Sequence, residues 1–443
     1  MLNQSDNIAA PASAIGGAVT VIRLSGPGVL EIANKVWHGR TPLSAANVRK
    51  MLLGKVAGDP TLAVYMKAPF SYTGDDVVEL QCHGGAASAN AVMKLLLASG
   101  CRLAEPGEFT CRAFLNGKLD LLQAEAVADL IASSSENAMH MAQKQLAGSL
   151  SSRIDELYDL IISLRSECES RLDFPDEELD FDDSVPDKIR ETRNAIISLI
   201  ETGKAGALIR DGVQVVLAGK PNSGKSSLLN RILGFDRAIV SAIPGTTRDT
   251  VESAAVIRGI GVNLTDTAGL RESDDPVEKM GIERSFRTIR AGKVTFWLLD
   301  ASSDDPAGEI AAIDHDAPGI IAVWNKCDIA GDIQTLPETG LPTVKISAKS
   351  GLNMDTLFDE FEKAVFAGGT PSMPELAVNA RSADLLEKSL LSLDRAEKSF
   401  NDGDYELAAA ELAEASVKIG EITGRTTSPD ILDKIFHRFC IGK

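Results

Sequence analysis

Residues 213–230 read VQVVLAGKPNSGKSSLLN, a short apolar strand followed by a glycine-rich loop and the start of a helix. This strand–loop–helix context is typical of the phosphate-binding loop of nucleotide hydrolases. Its glycines allow backbone N–H groups to approach the β- and γ-phosphates, aided by the positive end of the helix dipole. We expect Lys225 to contact those phosphates and Ser226 to bind Mg²⁺. The predicted nucleotide-binding residues here are Asn222, Ser223, Gly224, Lys225, Ser226 and Ser227.

Three further loops indicate that the nucleotide is GTP. Asp266-Thr267-Ala268-Gly269 closes a predicted strand, and its aspartate is expected to hold Mg²⁺ through water. Asn325-Lys326-Cys327-Asp328 follows another strand, and the Asp328 carboxylate can accept both N1–H and the exocyclic amine of guanine. Adenine lacks that pair of donors on one edge. Ser347-Ala348-Lys349 fits the loop that contacts the guanine carbonyl.

A switch loop is expected between the phosphate loop and Asp266. The run Gly245-Thr246-Thr247-Arg248-Asp249 lies there. Thr247 is the natural hydroxyl ligand to Mg²⁺ in the triphosphate state, and Thr246 is its rival. This loop is predicted to become ordered when the γ-phosphate is present.

The residue after Gly269 is Leu270, where many signalling GTPases have a glutamine that orients water. A leucine cannot position water by hydrogen bonding, so hydrolysis requires another group. The following segment offers several carboxylates, of which Glu272 and Glu278 are the leading candidates.

The pattern along the chain predicts a combination of α/β and α domains. Strand-like runs at 15–24, 64–68 and 76–81 are followed by amphipathic helical sequence, with an acidic stretch from Asp173 to Asp183. Short apolar strands at 213–218, 294–299, 319–324 and 343–346 then alternate with helices, and helical sequence returns after Gly369 through about Ser416. The predicted parts are a mixed α/β N-terminal domain (1–116), a discontinuous helical domain (117–210 and 369–443) and an inserted P-loop GTPase, Ras-like G domain (211–368).

Composition favours a protein of the cytoplasm. The net charge is −18, which argues against broad coating of nucleic acid, so any RNA contact must be local or carried mainly by a partner. Six cysteines lack C-x-x-C spacing and are expected to be thiols in a reducing compartment. No run approaches 18 apolar residues, so no membrane span is expected.

Further stretches carry a resemblance over nearly the whole chain. They are PFSYTGDDVVELQCHGG (69–85), AEPGEFTCRAFLNGKLDLLQAEAVADLI (104–131), IPGTTRD (243–249) and GEITGRTTSPDILDKIFHRFCIGK (420–443). With the nucleotide motifs, they resemble the tRNA modification GTPase family called MnmE or TrmE, within the TrmE-Era-EngA-like P-loop GTPases. The ending Cys440-Ile441-Gly442-Lys443 is particularly specific for that family.

The resemblance implies a potassium-dependent GTPase that hydrolyses GTP when two G domains meet. It places K⁺ on Asn222, Ser241, Ile243 and Thr246 and the catalytic, water-orienting glutamate on Glu278, ahead of Glu272. A monovalent cation there can offset charge that develops between the β- and γ-phosphates. It also adds the switch residues Ser241, Ala242, Ile243, Pro244, Gly245, Thr246 and Thr247 to the GTP-binding set.

The resemblance further implies a folate-binding N-terminal domain that forms a homodimer. The site for a tetrahydrofolate derivative (5-formyl- or methylene-tetrahydrofolate) corresponds to Arg23, Glu79, Lys118 and Lys443. Basic groups can pair with the folate carboxylate while an acid accepts from the pterin ring. Cys440 is a candidate reactive thiol, and a structural role is an equal alternative.

The function implied is modification of the wobble uridine of tRNA. With a flavin-dependent partner, MnmG (GidA), in a heterotetramer, the chain would help to attach a (carboxymethyl)aminomethyl group at uridine carbon 5, using a folate one-carbon unit. Two rivals are a ribosome-assembly GTPase that binds rRNA and a folate-dependent one-carbon enzyme with a regulatory GTPase insert. The first would need a basic RNA-binding domain after the G domain, where this chain has an Ala/Glu-rich helical tail.

Overall fold

The structure is a computed structural model that describes residues 5–173, 184–235, 252–266, 290, 292–331, 336–366 and 376–443. The chain divides into two compact units. The first unit comprises Met1–Ala128, Gln145–Thr192 and Lys388–Lys443, and the second comprises Asp129–Lys144 and Arg193–Glu387. Within the described ranges, no helix combines the length and apolar character needed to cross a membrane.

The first unit contains a seven-stranded mixed sheet. Its strands are Ile8–Pro11 (β1), Val19–Ser25 (β2), His38–Gly39 (β3), Leu52–Val56 (β4), Asp59–Met66 (β5), Val77–His83 (β6) and Arg102–Leu103 (β7). The spatial order is β3-β4-β5-β6-β2-β1-β7. Helices Val29–Val36 (α1) and Ala86–Ala98 (α2) contribute Ile32 and Leu96 to the core shared with Ile22 and Leu80 of the sheet.

The strand predicted over 15–24 is partly wrong. The strand begins only at Val19, and the preceding residues form a turn. Gly16 has φ of 108°, a left-handed conformation that an extended strand does not tolerate, and its N–H donates to the Gly84 carbonyl at 2.8 Å. The prediction also missed β1, whose Ile8 is fully buried.

Helices follow the mixed sheet, and those from Leu121 onward lie where the three-and-four spacing of apolar residues predicts them. They are Glu108–Leu115 (α3), Leu121–Ala132 (α4), Glu136–Leu146 (α5), Ser149–Asp173 (α6) and Val185–Asp211 (α7). Helix α6 buries Ile154, Ile161 and Cys168 at helical spacing along one face. Most of the predicted acidic stretch, residues 174–183, lies outside the described residues.

The second unit is built on a six-stranded sheet in the order β13-β12-β11-β8-β10-β9. Its strands are Val213–Gly219 (β8), Glu252–Ile257 (β9), Ile260–Asp266 (β10), Val294–Asp300 (β11), Ile320–Asn325 (β12) and Thr343–Lys345 (β13). All neighbours are parallel except β9 and β10. Its helices include Lys225–Phe235 (α8), Pro306–Ala311 (α9) and Met354–Val365 (α10).

The central strands of this sheet are apolar on both faces. Val215 and Phe296 belong to one buried cluster, whereas Val216 and Trp297 belong to the cluster on the opposite face. Parallel strands covered on both sides require such continuous apolar runs. The four strands predicted in this region are confirmed to within one residue at each end.

The last helices of the chain are Ala380–Asn401 (α11), Tyr405–Thr423 (α12) and Pro429–Phe436 (α13). Helical structure therefore extends beyond Ser416, where the sequence prediction ended it. The final residues return to the N-terminal part of the first unit, where Ile441 forms an isolated β-bridge with Pro106. A Cβ on Gly442 would lie 2.0 Å from the Pro11 carbonyl oxygen, so only glycine allows this approach.

The predicted fold class is confirmed, with a mixed α/β N-terminal part, a helical part and an inserted parallel α/β unit. The domain boundaries 1–116, 117–210, 211–368 and 369–443 stay a prediction. All six cysteines are free thiols, and only Cys440 is exposed. Burial raises the pKa of Cys111 to about 12, which keeps this thiol neutral at pH 7.

A buried ion pair joins α3 to the sheet of the first unit. Glu108 is fully buried and its Oε1 accepts from Nη2 of Arg102 at 2.6 Å and Nη2 of Arg112 at 3.0 Å. The side chain of Arg112 is 1% exposed. Burial acts to raise the pKa of Glu108, but the two guanidinium groups and the Glu105 N–H hold it below its ordinary value.

Replacing Glu108 by alanine is expected to lower the free energy of unfolding of the first unit by about 3 kcal/mol, because it leaves a buried guanidinium without its carboxylate. Chemical denaturation of the full chain measures the change. The neighbouring Glu105→Ala, whose side chain is exposed, is the control and is expected to change stability by less than about 0.5 kcal/mol. Equal effects of the two substitutions would contradict the role assigned to the pair.

Candidate functional site

Those predicted nucleotide-binding residues that the structure describes lie at one edge of the second unit's sheet. The phosphate loop follows β8, Asp266 ends β10, Asn325 ends β12 and the Ser347–Lys349 loop follows β13. Because these strands are parallel, their carboxyl ends meet at the same edge. This edge is where ligands bind in open α/β sheets.

The phosphate loop has a backbone conformation that few residues could adopt. Gly219 and Gly224 have φ of 133° and 99°, and Asn222 has φ of 63°. A Cβ on Gly219 would meet the Leu298 carbonyl oxygen at 2.4 Å, and a Cβ on Gly224 would meet Nδ2 of Asn325 at 2.1 Å. The loop therefore closes against β11 and β12 only with glycine at these two positions.

Lys225 is held at the centre of this loop. Its Nζ donates to the carbonyl oxygens of Gly219 and Lys220, each at 2.9 Å. The residue is 8% exposed, and burial lowers the pKa of its ammonium, which the nearby Asp266 carboxylate partly opposes. A cation held by neutral carbonyls in a buried loop is poised to bind an anion.

Ser226 and Asp266 bring together a hydroxyl and a carboxylate that could hold a divalent cation. Ser226 Oγ donates to Asp266 Oδ2 at 3.3 Å, and Asp266 Oδ1 is buried with no hydrogen-bond partner in the described part of the chain. Burial raises the pKa of Asp266 despite the Lys225 charge, and a bound cation would act in the opposite direction by favouring the carboxylate. A hydroxyl and a carboxylate are ligands that Mg²⁺ prefers, so these residues fit the ion.

Asn325 joins the phosphate loop to the loop after β13. Its Nδ2 donates to the Ser223 carbonyl oxygen at 2.9 Å, and its Oδ1 accepts from the Ala348 N–H at 2.9 Å. Asn325 is 2% exposed and Ser347 is fully buried. A single amide side chain therefore fixes the distance between two loops that come from distant parts of the sequence.

The two remaining residues of this motif differ in their surroundings. Asp328 is exposed, and its carboxylate is open to a ligand at the sheet edge. Lys326 has φ of 69°, and its Nζ lies 2.5 Å from Asp300 Oδ2 at the end of β11. Burial alone would raise the pKa of Asp300, but Lys326 and Ser302 hold it below its ordinary value. Sequence reasoning missed Asp300, although its position at the end of a parallel strand was a usable signal.

Lys349 and Ser227 border an open cavity of about 540 Å³ at this edge. The other lining residues are Asn230, Arg231, Gly234 and Ala348. Arg231 was not among the predicted residues. It comes from α8 and donates hydrogen bonds to the loop after β13.

Several predicted residues lie outside the described residues. They are Glu272 and Glu278, the switch residues Ser241, Ala242, Ile243, Pro244, Gly245, Thr246 and Thr247, and Thr267, Ala268, Gly269 and Leu270. Their predicted roles in binding GTP, Mg²⁺ and K⁺ and in orienting water stay predictions.

The first unit brings together residues predicted to bind a folate. Arg23 on β2 faces Glu79 on β6, and its Nη2 lies 2.9 Å from Glu79 Oε1. The Arg23 guanidinium also lies over two aromatic rings, 5.3 Å from the centre of Tyr72 and 5.7 Å from that of Phe109. The pair is partly exposed, with side chains 18% and 19% accessible. It offers a cation and a carboxylate beside the partly buried ring of Tyr72, whereas Phe109 is fully buried beneath.

Lys443 approaches this surface through the chain terminus. Its carbonyl oxygen accepts from the Phe109 N–H at 3.2 Å, which places the last residue beside a ring that contacts Arg23. Lys118 is exposed, and its Nζ donates to the Pro69 carbonyl oxygen at 3.2 Å. The Cys440 thiol is exposed, while its carbonyl oxygen accepts from Gly107 at 3.4 Å.

Two family models and several known proteins match this chain. Residues 7–118 match the family model for the GTP-binding protein TrmE N-terminus, and residues 121–440 match that for the MnmE helical domain. Two similar relatives are both named tRNA modification GTPase MnmE. That of Thiobacillus denitrificans is 42% identical over 99% of this chain and 98% of its own length, and that of Natranaerobius thermophilus is 38% identical over 99% of both.

A solved structure of an Aquifex aeolicus Era variant bound to GDP·AlF4⁻ is also similar, with 25% identity over 41% of this chain and 66% of that one and a TM-score of 0.29. The family models and the full-length relatives agree with each other along the chain. The chain therefore belongs to the MnmE family of tRNA modification GTPases.

Proposed function

We propose that this chain hydrolyses GTP and uses the reaction to modify the wobble uridine of tRNA in the cytoplasm. The observation that carries the first part is the Asn325 amide, which holds a phosphate-binding loop and a base-binding loop at a fixed separation. Family membership supports the second part. We infer that GTP hydrolysis drives a conformational change rather than the uridine chemistry itself.

Guanine is selected by hydrogen bonds to three neighbouring groups of the base. The exposed Asp328 carboxylate accepts from N1–H and the exocyclic amine, and the backbone of the Ser347–Lys349 loop donates to the carbonyl at carbon 6. Adenine presents neither the paired donors nor that carbonyl, so its binding leaves these groups unsatisfied.

The phosphates bind in the loop closed by Gly219 and Gly224. On binding, Lys225 exchanges the two loop carbonyls for phosphate oxygens, and the first N–H groups of α8 point at the same anion. Ser226 and Asp266 orient Mg²⁺, which, when bound, neutralises charge on the β- and γ-phosphate oxygens.

Potassium and Glu278 complete the proposed hydrolytic site. Asn222 is exposed at the tip of the loop, where its side chain can hold K⁺ with Ser241, Ile243 and Thr246. We assign the orientation of the attacking water to Glu278, since Leu270 cannot do so. Glu278→Ala is expected to lower turnover while GTP affinity is retained; unchanged turnover would reassign this role.

The first unit supplies a proposed folate site. Arg23, Lys118 and Lys443 can pair with the carboxylates of a 5-formyl- or methylene-tetrahydrofolate, and Glu79 can accept from its pterin ring. The folate provides the one-carbon unit for uridine carbon 5. Titration with 5-formyl-tetrahydrofolate tests the site, because Arg23→Ala is expected to weaken binding and unchanged affinity excludes Arg23.

The proposed partners are a second copy of this chain, joined through the N-terminal domain, and the flavin-dependent MnmG in a heterotetramer. The net charge of −18 disfavours broad contact with phosphates, which supports the proposal that the partner makes most of the contacts with the tRNA. The rival function of rRNA binding receives no support from the C-terminal helices. Helix α12 packs along α6 within the first unit, so its contacts are with the chain's own helical part.

A strain that lacks this chain is expected to lose the C5-modified wobble nucleosides, which mass spectrometry of digested tRNA measures. The wild-type chain restores them, and Lys225→Ala does not, because the phosphates lose their cation. Exposed Lys363→Ala is the control and is expected to restore the modification fully. An intact nucleoside profile in the deletion strain, together with defective ribosomes, would instead favour the ribosome-assembly function.

Asp328→Asn is expected to weaken GTP binding about 100-fold, because a carboxylate that accepts two hydrogen bonds is lost. Xanthine has a carbonyl where guanine has its amine, so the new amide should improve XTP binding about 10-fold or more. Equilibrium titration of both nucleotides measures the switch, with exposed Asp316→Asn as the control. Retained preference for GTP would contradict the assignment.

Replacing K⁺ by Na⁺ in the assay is expected to slow GTP hydrolysis by about 10-fold or more, because the cation stabilises charge that develops in the transition state. Initial rates at equal ionic strength measure this effect. Asn222→Ala should remove the difference between the two salts, whereas exposed Asn401→Ala should retain it. Equal rates of the wild-type chain in both salts would exclude a specific K⁺ site.

A further inference from the structure

Arg231 forms a bridge between α8 and the proposed guanine-binding loop. Its Nε donates to the Ala348 carbonyl oxygen at 2.7 Å, and its Nη2 donates to the Lys349 carbonyl oxygen. One guanidinium thus holds two consecutive carbonyl groups. A planar fork of N–H donors suits this geometry, whereas a lysine ammonium offers a single point of attachment.

The orientation of α8 directs Arg231 to this loop. Leu228 and Ile232 are buried in the core of the second unit and fix the rotation of the helix. Ser227 and Arg231 are four residues apart, so they share one helix face, and both line the 540 Å³ cavity beside Lys349. The first turn of the same helix carries Lys225 and Ser226.

The Ala348–Lys349 backbone is therefore held from two directions. Asn325 accepts from the Ala348 N–H at 2.9 Å on the side of β12, and Arg231 holds the carbonyl groups on the side of α8. The N–H groups of Ser350 and Gly351 bond to Ser347 within the loop itself. Of these contacts, only those of Arg231 connect Lys349 to another element.

We propose that Arg231 is a positioning residue for guanine recognition, which ties the base-binding loop to the helix whose first turn binds the phosphates. Arg231 acts on the loop backbone and does not contact the reacting atoms. It keeps the loop N–H groups aimed at the guanine carbonyl, so its loss weakens the recognition of that carbonyl. This inference rests on the proposed binding of GTP.

The test compares GDP with 6-thio-GDP on the full-length chain in the presence of Mg²⁺. Sulfur is a weak hydrogen-bond acceptor, so the thio analogue reports binding with the carbonyl contact weakened and the other contacts kept. Arg231→Met and Arg231→Lys are compared with the wild type. The control is Arg258→Met, which removes an arginine that pairs with Asp355 and Asp359 on the surface.

Arg231→Met is expected to weaken GDP binding about 10-fold and 6-thio-GDP binding about 2- to 3-fold or less, which lowers the selectivity for the carbonyl. Arg231→Lys should recover part of the loss, since one carbonyl can still be bonded. Arg258→Met should bind both nucleotides as the wild type does.

Two results would overturn the role proposed for Arg231 and leave the proposed binding of GTP intact. One is unchanged GDP affinity in Arg231→Met, and the other is an equal loss for both nucleotides, which indicates a merely structural arginine. If the wild-type chain bound ADP as tightly as GDP, the proposed function itself would fail, and the role of Arg231 with it.

Discussion

The Asn325 side chain makes the contacts on which the candidate nucleotide site depends. It bonds to the Ser223 carbonyl and the Ala348 N–H at the same distance, 2.9 Å, in a place where water has almost no access. Removing it would leave two buried backbone groups without partners, at a cost of about 1–3 kcal/mol each. The phosphate loop and the base loop are therefore placed before any ligand arrives, which reduces the ordering cost of binding.

The sheet beneath these loops makes such placement possible. Apolar residues on both faces of β8, β11 and β12 bury the strands, so the loops at their ends rest on a rigid support. Gly219 and Gly224 then allow the phosphate loop to lie directly on β11 and β12. In the first unit, Gly442 plays a comparable part, because it lets the chain terminus approach Pro11 and brings Lys443 beside Phe109.

Sequence reasoning succeeded where the signal is local. The parallel strands read as continuous apolar runs, and the structure has them where the sequence predicts them. The nucleotide motifs are equally local signals, and the binding roles assigned to their residues stay predictions. It failed at residues 15–18, where β-branched composition concealed a glycine turn, and at β1, a segment of only four residues that lies between β2 and β7.

Arg231 and Asp300 were missed for a different reason. Each acts through a partner remote in the sequence, the Ala348–Lys349 backbone for Arg231 and Lys326 for Asp300. Only the folded chain brings these groups together. Asn325 is an intermediate case. Its motif predicts a role in nucleotide binding, while its structural link to Ser223 and Ala348 could not be read from the sequence.

Hydrogen–deuterium exchange of the full-length chain with GDP or ADP tests the central claim most directly. If the two loops linked by Asn325 form one site that binds the phosphates and the guanine base together, GDP will protect the amides of both the 222–227 loop and the 347–349 loop from exchange. An excess of ADP will protect at most the phosphate loop. Equal protection of both loops by the two nucleotides, or protection of neither loop by GDP, would contradict the account.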